Sequence, residues 1–195
     1  MELFEEFYKG KELWKVMTLN FNCDRQAKND FTASTYDYLT SNFPQFTGIS
    51  YFEADEDGDL VPYGDWRASD TARTDVYIAL SSKNTDITYA CELKERWGCY
   101  TSTYYGEPGG EGWIYNIEKD ESLQKEEERG FVPLFANLYP DDKITIWRID
   151  NVDRTDIITK DIRKINIDPN SPRIPQKRLQ LWNKDGKTIR RIRHR

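Results

Sequence analysis

The sequence predicts an α/β (α+β) fold built on a single mixed β-sheet flanked by helices. Three observations lead there. A helix-period segment, Asp24 to Asn42, is followed by short strand-like apolar runs at Thr47–Glu53, Asp75–Leu80 and Ile87–Lys94. A second helical segment, Trp113 to Arg129, then leads into the continuous apolar run Phe131–Asn137, which suits a strand buried on both faces. The length, 195 residues, allows one well-packed domain rather than two.

Each element has a local reason. Residues 1–16 mix Phe4, Phe7, Leu13 and Trp14 with charges at helical spacing and read as a short helix. In the next helix Ala27, Phe31, Ser34, Tyr38 and Leu39 fall on one face, Asn22 or Asp24 can serve as N-cap, and Phe43-Pro44 ends it. Asp55-Glu56-Asp57-Gly58-Asp59 is an acidic hairpin loop; it lacks the closing bidentate Glu and flanking helices of an EF-hand. Tyr63–Thr74 reads as loop. The segment holding Tyr100, Tyr104, Tyr105 and the glycines 106–112 reads as a flap or long connection and is no Walker loop, because no Gly-Lys-Ser/Thr follows. Gly130 stops the second helix. Tyr139–Asp142 turns the chain into a strand at Lys143–Ile149, and Asp150–Ile167 fits strand or helix. Pro169, Pro172 and Pro175 mark a linker, after which Arg178–Arg193 reads as a basic hairpin turning at Asp185-Gly186. The expected organisation is a core domain over 1–168, with its core elements at about 24–149, and a linker with a basic arm or hairpin over 169–195.

Composition narrows the function classes. No apolar run approaches the roughly 20 residues of a membrane span, and the N-terminus Met1-Glu2-Leu3-Phe4-Glu5-Glu6 is acidic where a signal peptide would be basic. Cys23, Cys91 and Cys99 are odd in number and lack CxxC spacing, so reduced thiols of a cytoplasmic, intracellular protein are expected. The one histidine, His194, lies at the tail, which leaves no Ser-His-Asp triad, Cys-His dyad or histidine-rich zinc site. No Gly-x-Gly-x-x-Gly follows a strand. Arg173–Arg195 carries nine Lys or Arg against one acid, a balance of +8, so the rest of the chain carries −14 of the total −6. An acidic body with a basic arm can touch a polyanion at one place.

The chemistry concentrates at Asp75 and at Glu92-Leu93-Lys94. Acid-x-Lys occurs three times, also as Asp141-Asp142-Lys143 and Asp185-Gly186-Lys187, but those two read as turns. Strand side chains alternate between faces, so Glu92 and Lys94 share a face and Leu93 takes the other. If the two runs pair as antiparallel strands, Asp75 can sit beside Glu92. Two carboxylates and an ammonium then converge, a set suited to a hard cation and to activating water against a phosphodiester.

With Arg73-Thr74-Asp75-Val76-Tyr77-Ile78, Cys91-Glu92-Leu93-Lys94 and the helix and apolar strand that follow, Asp24–Ile149 resembles the PD-(D/E)XK nuclease superfamily, with its restriction-endonuclease-like αβββαβ core. Thr74 stands where the motif's name has Pro, at a position that varies in the superfamily. The resemblance implies that Asp75, Glu92 and the Leu93 carbonyl ligate Mg2+ or Mn2+. Lys94 would orient or deprotonate the attacking water or neutralise the phosphate. It further implies an accessory acid on the first helix, Asp30 or Asp37, and a polar or basic residue on the later helix, Lys119, with Gln124 or Lys125 as alternatives.

The expected function is metal-dependent hydrolysis of nucleic acid, DNA in preference to RNA. The expected nucleic-acid contacts are Lys119, Lys177, Arg178, Arg190 and Arg191, with no membrane partner, and a homodimer is compatible with the fold. Two other readings stand beside it. A non-catalytic binding or assembly protein on the same fold would depend on the basic arm and be strongly salt-sensitive, with Tyr100, Tyr104 and Tyr105 available for stacking. An acidic protein that binds a basic partner would show neither metal dependence nor nucleic-acid affinity.

Overall fold

A computed structural model of the chain describes residues 13–69, 74–96, 112–163 and 172–193. The fold is mixed α/β. The described residues form helices α1 (Leu13–Asn42) and α2 (Ile117–Glu128). Their strands are β1 (Gly48–Ala54), β2 (Leu60–Pro62), β3 (Val76–Ser81), β4 (Asp86–Glu95) and β5 (Gly112–Asn116). They continue with β6 (Val132–Leu138), β7 (Lys143–Arg148), β8 (Ile157–Arg163), β9 (Arg173–Trp182) and β10 (Lys187–Arg190).

Seven strands make one mixed sheet in the order β10-β7-β6-β4-β3-β1-β2. Neighbours run antiparallel except β4 and β6, which are parallel. Parallel neighbours need a long crossover, and α2 lies on the connection between them. The single sheet expected from sequence is incomplete: β5, β9 and β8 form a second, three-stranded sheet.

Strand alternation divides the core into two. On one face Val76, Ile78, Leu80, Cys91, Leu93, Leu134, Ala136 and Leu138 pack under Ala27 and Phe31 of α1. On the other, Tyr77, Ala90, Phe135 and Trp147 pack with Tyr115, Leu123 of α2, and Leu179 and Leu181 of β9. Of the stripe read on this helix, Ala27, Phe31 and Ser34 are buried and Tyr38 and Leu39 half-buried against the same core. This helix does not start at Asn22 or Asp24 but runs through both from Leu13, because no Gly or Pro interrupts residues 13–42. It stops at Asn42, ahead of Pro44. The acidic turn is a hairpin turn between β1 and β2, with Gly58 at φ 86°.

Two further expectations are corrected and one open reading is decided. Trp113–Arg129 is not one helix: Gly112–Asn116 is strand β5, paired with β9. The β-favouring run Trp113-Ile114-Tyr115 has a partner strand, and the helix begins where Glu118 and Asp120 occupy its positive N-terminal turn. It ends at Gly130, φ 89°, where Phe131 N–H donates to Glu126 C=O and Gly130 N–H to Glu127 C=O, a Schellman motif. Second, the segment from Asp150, open between strand and helix, is a short 3-10 turn followed by strand β8 as far as Arg163, where the described residues stop.

Third, the basic C-terminal residues form neither a free arm nor a hairpin. β9 pairs with β5 and β8, while β10 pairs with β7 in the main sheet. Asp185-Gly186 joins two sheets, and Gly186 serves for closeness rather than for a turn. A Cβ there would lie 2.7 Å from Trp147 Nε1 and 2.8 Å from Thr145 Cγ2. Gly186→Ala should therefore destabilise the protein by about 1–3 kcal/mol, read as a lower midpoint in chemical denaturation.

Candidate active site

The β3–β4 register pairs Val76 with Cys91 and Tyr77 with Ala90. One step further, the same register sets Asp75 opposite Glu92. Asp75 Oδ2 accepts a 2.7 Å hydrogen bond from Leu93 N–H, so a side chain extends the ladder by one bond. The N–H and C=O of a strand residue point to the same edge. The Leu93 carbonyl is thus directed past the end of β3, on the Asp75 side. Asp75 and Glu92 share the parity of Tyr77 and Ala90 and so belong to the sheet face that packs against α2.

Lys119, in the first turn of α2, places Nζ 2.7 Å from Glu92 Oε1. Lys94 lies on the Glu92 face, is exposed, and its charge lowers the Glu92 pKa. The predicted trio and Lys119 therefore meet in one place.

The electrostatics are those of an undercompensated acid pair. Burial and then the charge of Asp75 push Glu92 up from 4.5 to about 7, against Lys119 and Lys94. Burial likewise raises Asp75, against its Leu93 N–H bond and the charges of Lys28 and Lys119. Burial works against the charge on Lys119, yet Glu92 and Asp75 hold its pKa above the ordinary value. A carboxylate with a raised folded-state pKa stabilises the fold below its unfolded pKa, and that contribution is lost as pH rises through the folded pKa. The metal-free protein should thus lose melting temperature between about pH 4.5 and 7, and Glu92→Gln should flatten that slope in thermal melts across this range.

Two carboxylates with raised pKa values are a fit for a divalent cation, which favours hard oxygen donors and, for Mg2+, retains several waters. Tyr115 adds to the fit: its hydroxyl is buried without a hydrogen-bond partner, and its pKa is raised by burial and by the charges of Asp120 and Glu92. Asp75 and Glu92, with the Leu93 carbonyl, are the residues that would hold the ion. Among the described residues there is no cluster of three or more acidic, Cys or His side chains, so water would have to fill the remaining positions.

Other sequence candidates lie elsewhere. Asp30 is fully buried beneath the opposite sheet face, 2.7 Å from Arg191, and is a structural ion-pair partner. Asp37 is exposed on α1. The helix acid whose charge reaches Asp75 is Asp24, and Lys28, which ion-pairs with Glu53 at 3.0 Å, is the nearby cation from the same helix. Their i,i+4 spacing was the only sequence signal for either. Gln124 donates to Asp120, and Lys125 is exposed.

The basic residues do not form one patch. Lys177 is exposed and Arg178 half-buried against Gln176, both on β9 of the small sheet. Arg190 is exposed at the end of β10, an edge strand of the main sheet. Arg191 is buried between Asp30 and Glu95 and is not available to a phosphate. Lys119 is paired with Glu92 at 2.7 Å while its side chain stays half exposed. The tyrosine-rich segment with Tyr100, Tyr104 and Tyr105 lies outside the described residues, as do Cys99 and His194. Cys91 is a buried free thiol on the α1 face, with the parity of Leu93. Compared with family models, curated proteins and solved structures, the chain matches none.

Proposed function

We propose that this protein is a metal-dependent nuclease of the PD-(D/E)XK type, hydrolysing phosphodiester bonds in nucleic acid, DNA in preference to RNA. The observation that carries this reading is the juxtaposition of Asp75 and Glu92 at the end of β3 and β4, with two lysines beside them. The order of elements supports it: α1, the antiparallel strands β1, β3 and β4, then α2 leading to β6 parallel with β4. That order is compatible with the αβββαβ core of that superfamily.

A divalent ion at this site would lower the pKa of water and offset charge developing on the phosphate. The chain's own groups do the positioning. Asp75 and Glu92 supply fixed anionic oxygens, Asp75 being oriented by the Leu93 N–H. Lys94, exposed on the same face as Glu92, would orient or deprotonate the attacking water or neutralise phosphate charge. Water adds to phosphorus and gives up a proton to solvent, the P–O bond to the leaving sugar oxygen breaks, and that oxygen takes a proton from solvent to leave as a hydroxyl.

The test is incubation of single-stranded, duplex and branched DNA, and of RNA, with the full chain in Mg2+ or Mn2+. Metal-dependent strand cleavage is expected. Binding without cleavage of any of these would favour the assembly-protein reading. That reading is not tested by deleting 177–195, which would remove most of β9 and all of β10 and report on folding.

A further inference from the structure

We infer that Lys119 is a resident counter-ion that competes with the divalent cation for Glu92 and has to release that carboxylate when the ion binds. This rests on the metal-site reading above and adds the way in which that site is controlled.

Three features lead to it. Lys119 makes the 2.7 Å contact, while Lys94 is carried on the strand itself and is exposed. The lysine side chain is half exposed at 50%, whereas that of Glu92 is 9% exposed. The ammonium can therefore move out to water on its flexible stem, and the carboxylate cannot follow. Finally, Lys119 is the third residue of α2, within the first turn, where the helix's partial positive charge disfavours a cation. Its neighbours Glu118 and Asp120 have the sign that suits this turn. What holds Lys119 against the helix is the acid pair, and a divalent ion would remove that attraction. The freed ammonium would then lie at the rim of the site, where an anionic substrate could take the place of Glu92.

The competition is measurable without turnover. Mn2+ is titrated by calorimetry into the wild-type chain, Lys119→Met, Lys119→Arg and Glu92→Gln, with circular dichroism to verify folding. Melting temperatures are recorded with and without Mn2+. Lys119→Met is expected to bind Mn2+ about 5- to 10-fold more tightly than wild type, the scale of an ordinary coupling between two ligands. It should also melt lower without the ion and recover on adding it. Lys119→Arg should stay near wild type, and Glu92→Gln should lose binding. Equal or weaker Mn2+ binding by Lys119→Met, with wild type still binding through Glu92, would overturn the competition and leave the metal site standing. Absence of Mn2+ binding to both wild type and Lys119→Met would overturn the metal site and this inference together.

Discussion

Asp75→Asn should lower metal-dependent cleavage by about 10²–10³-fold, the magnitude seen when one preorganised electrostatic group is removed from an active site. The substitution is close to isosteric. The amide oxygen can still accept the hydrogen bond from Leu93 N–H, so the end of the ladder survives. What disappears is the charge. Because burial acts against ionising either acid and the charge of Asp75 further raises Glu92, the neutral variant should melt at the same temperature as wild type or higher at pH 8 without metal. Loss of activity and retention of stability therefore move in opposite directions, a combination that a merely unfolded variant cannot produce. Lys94→Ala should bring a comparable loss of cleavage with an unchanged melting temperature, since its side chain is exposed. Steady-state cleavage rates and thermal melts on the same preparations check both.

The largest loss of stability is expected at Arg191. Its guanidinium is 1% exposed and lies 2.7 Å from Asp30 of α1 and 2.6 Å from Glu95 at the end of β4. It also donates to the Tyr139 carbonyl at 3.2 Å. The next residue is tied to the same helix, with Ile192 N–H donating to Ser34 Oγ at 2.7 Å. Removing one partner of a buried ion pair leaves the other charge uncompensated and costs about 3–5 kcal/mol. For a chain of this size that is roughly 6–20 °C in melting temperature. Arg191→Met should show it in thermal denaturation, without affecting Mn2+ affinity in molecules that remain folded. Arg190→Ala, one residue away and exposed, should be close to neutral and serves as the matched control.

How far the sequence could be read depended on whether local pattern or long-range pairing decided each element. The face of α1 followed from 3.6-residue periodicity, and β3, β4 and β6 from short apolar runs with strand alternation. Strand parity put Glu92 and Lys94 on one face, but the register that sets Asp75 opposite Glu92 was only a condition in the sequence, and the β3–β4 pairing decides it. The errors lie where a distant partner overrides a local signal. Gly112–Asn116 looks like the start of a helix until β9, more than sixty residues on, supplies a strand to pair with. Asp185-Gly186 carries a hairpin signature, but the strands on either side find better partners in β5, β8 and β7. Arg191 reads as one more residue of a basic tail, and only the fold brings it to Asp30, 161 positions earlier. Lys119 was legible as a helix lysine near the site; its contact with Glu92 depends on how α2 packs over β4 and has no local signature.

The account rests on Asp75 and Glu92 acting together on a phosphodiester. The most direct test compares cleavage of end-labelled DNA by the wild-type chain, Asp75→Asn and Glu92→Gln, prepared identically, in Mg2+ and again with excess EDTA. Wild type should cut and stop cutting with EDTA, and either variant should cut at least about 10²-fold more slowly. Cutting that persists near the wild-type rate in both variants, or in EDTA, or a wild-type chain that cuts none of the single-stranded, duplex and branched forms, would contradict the account.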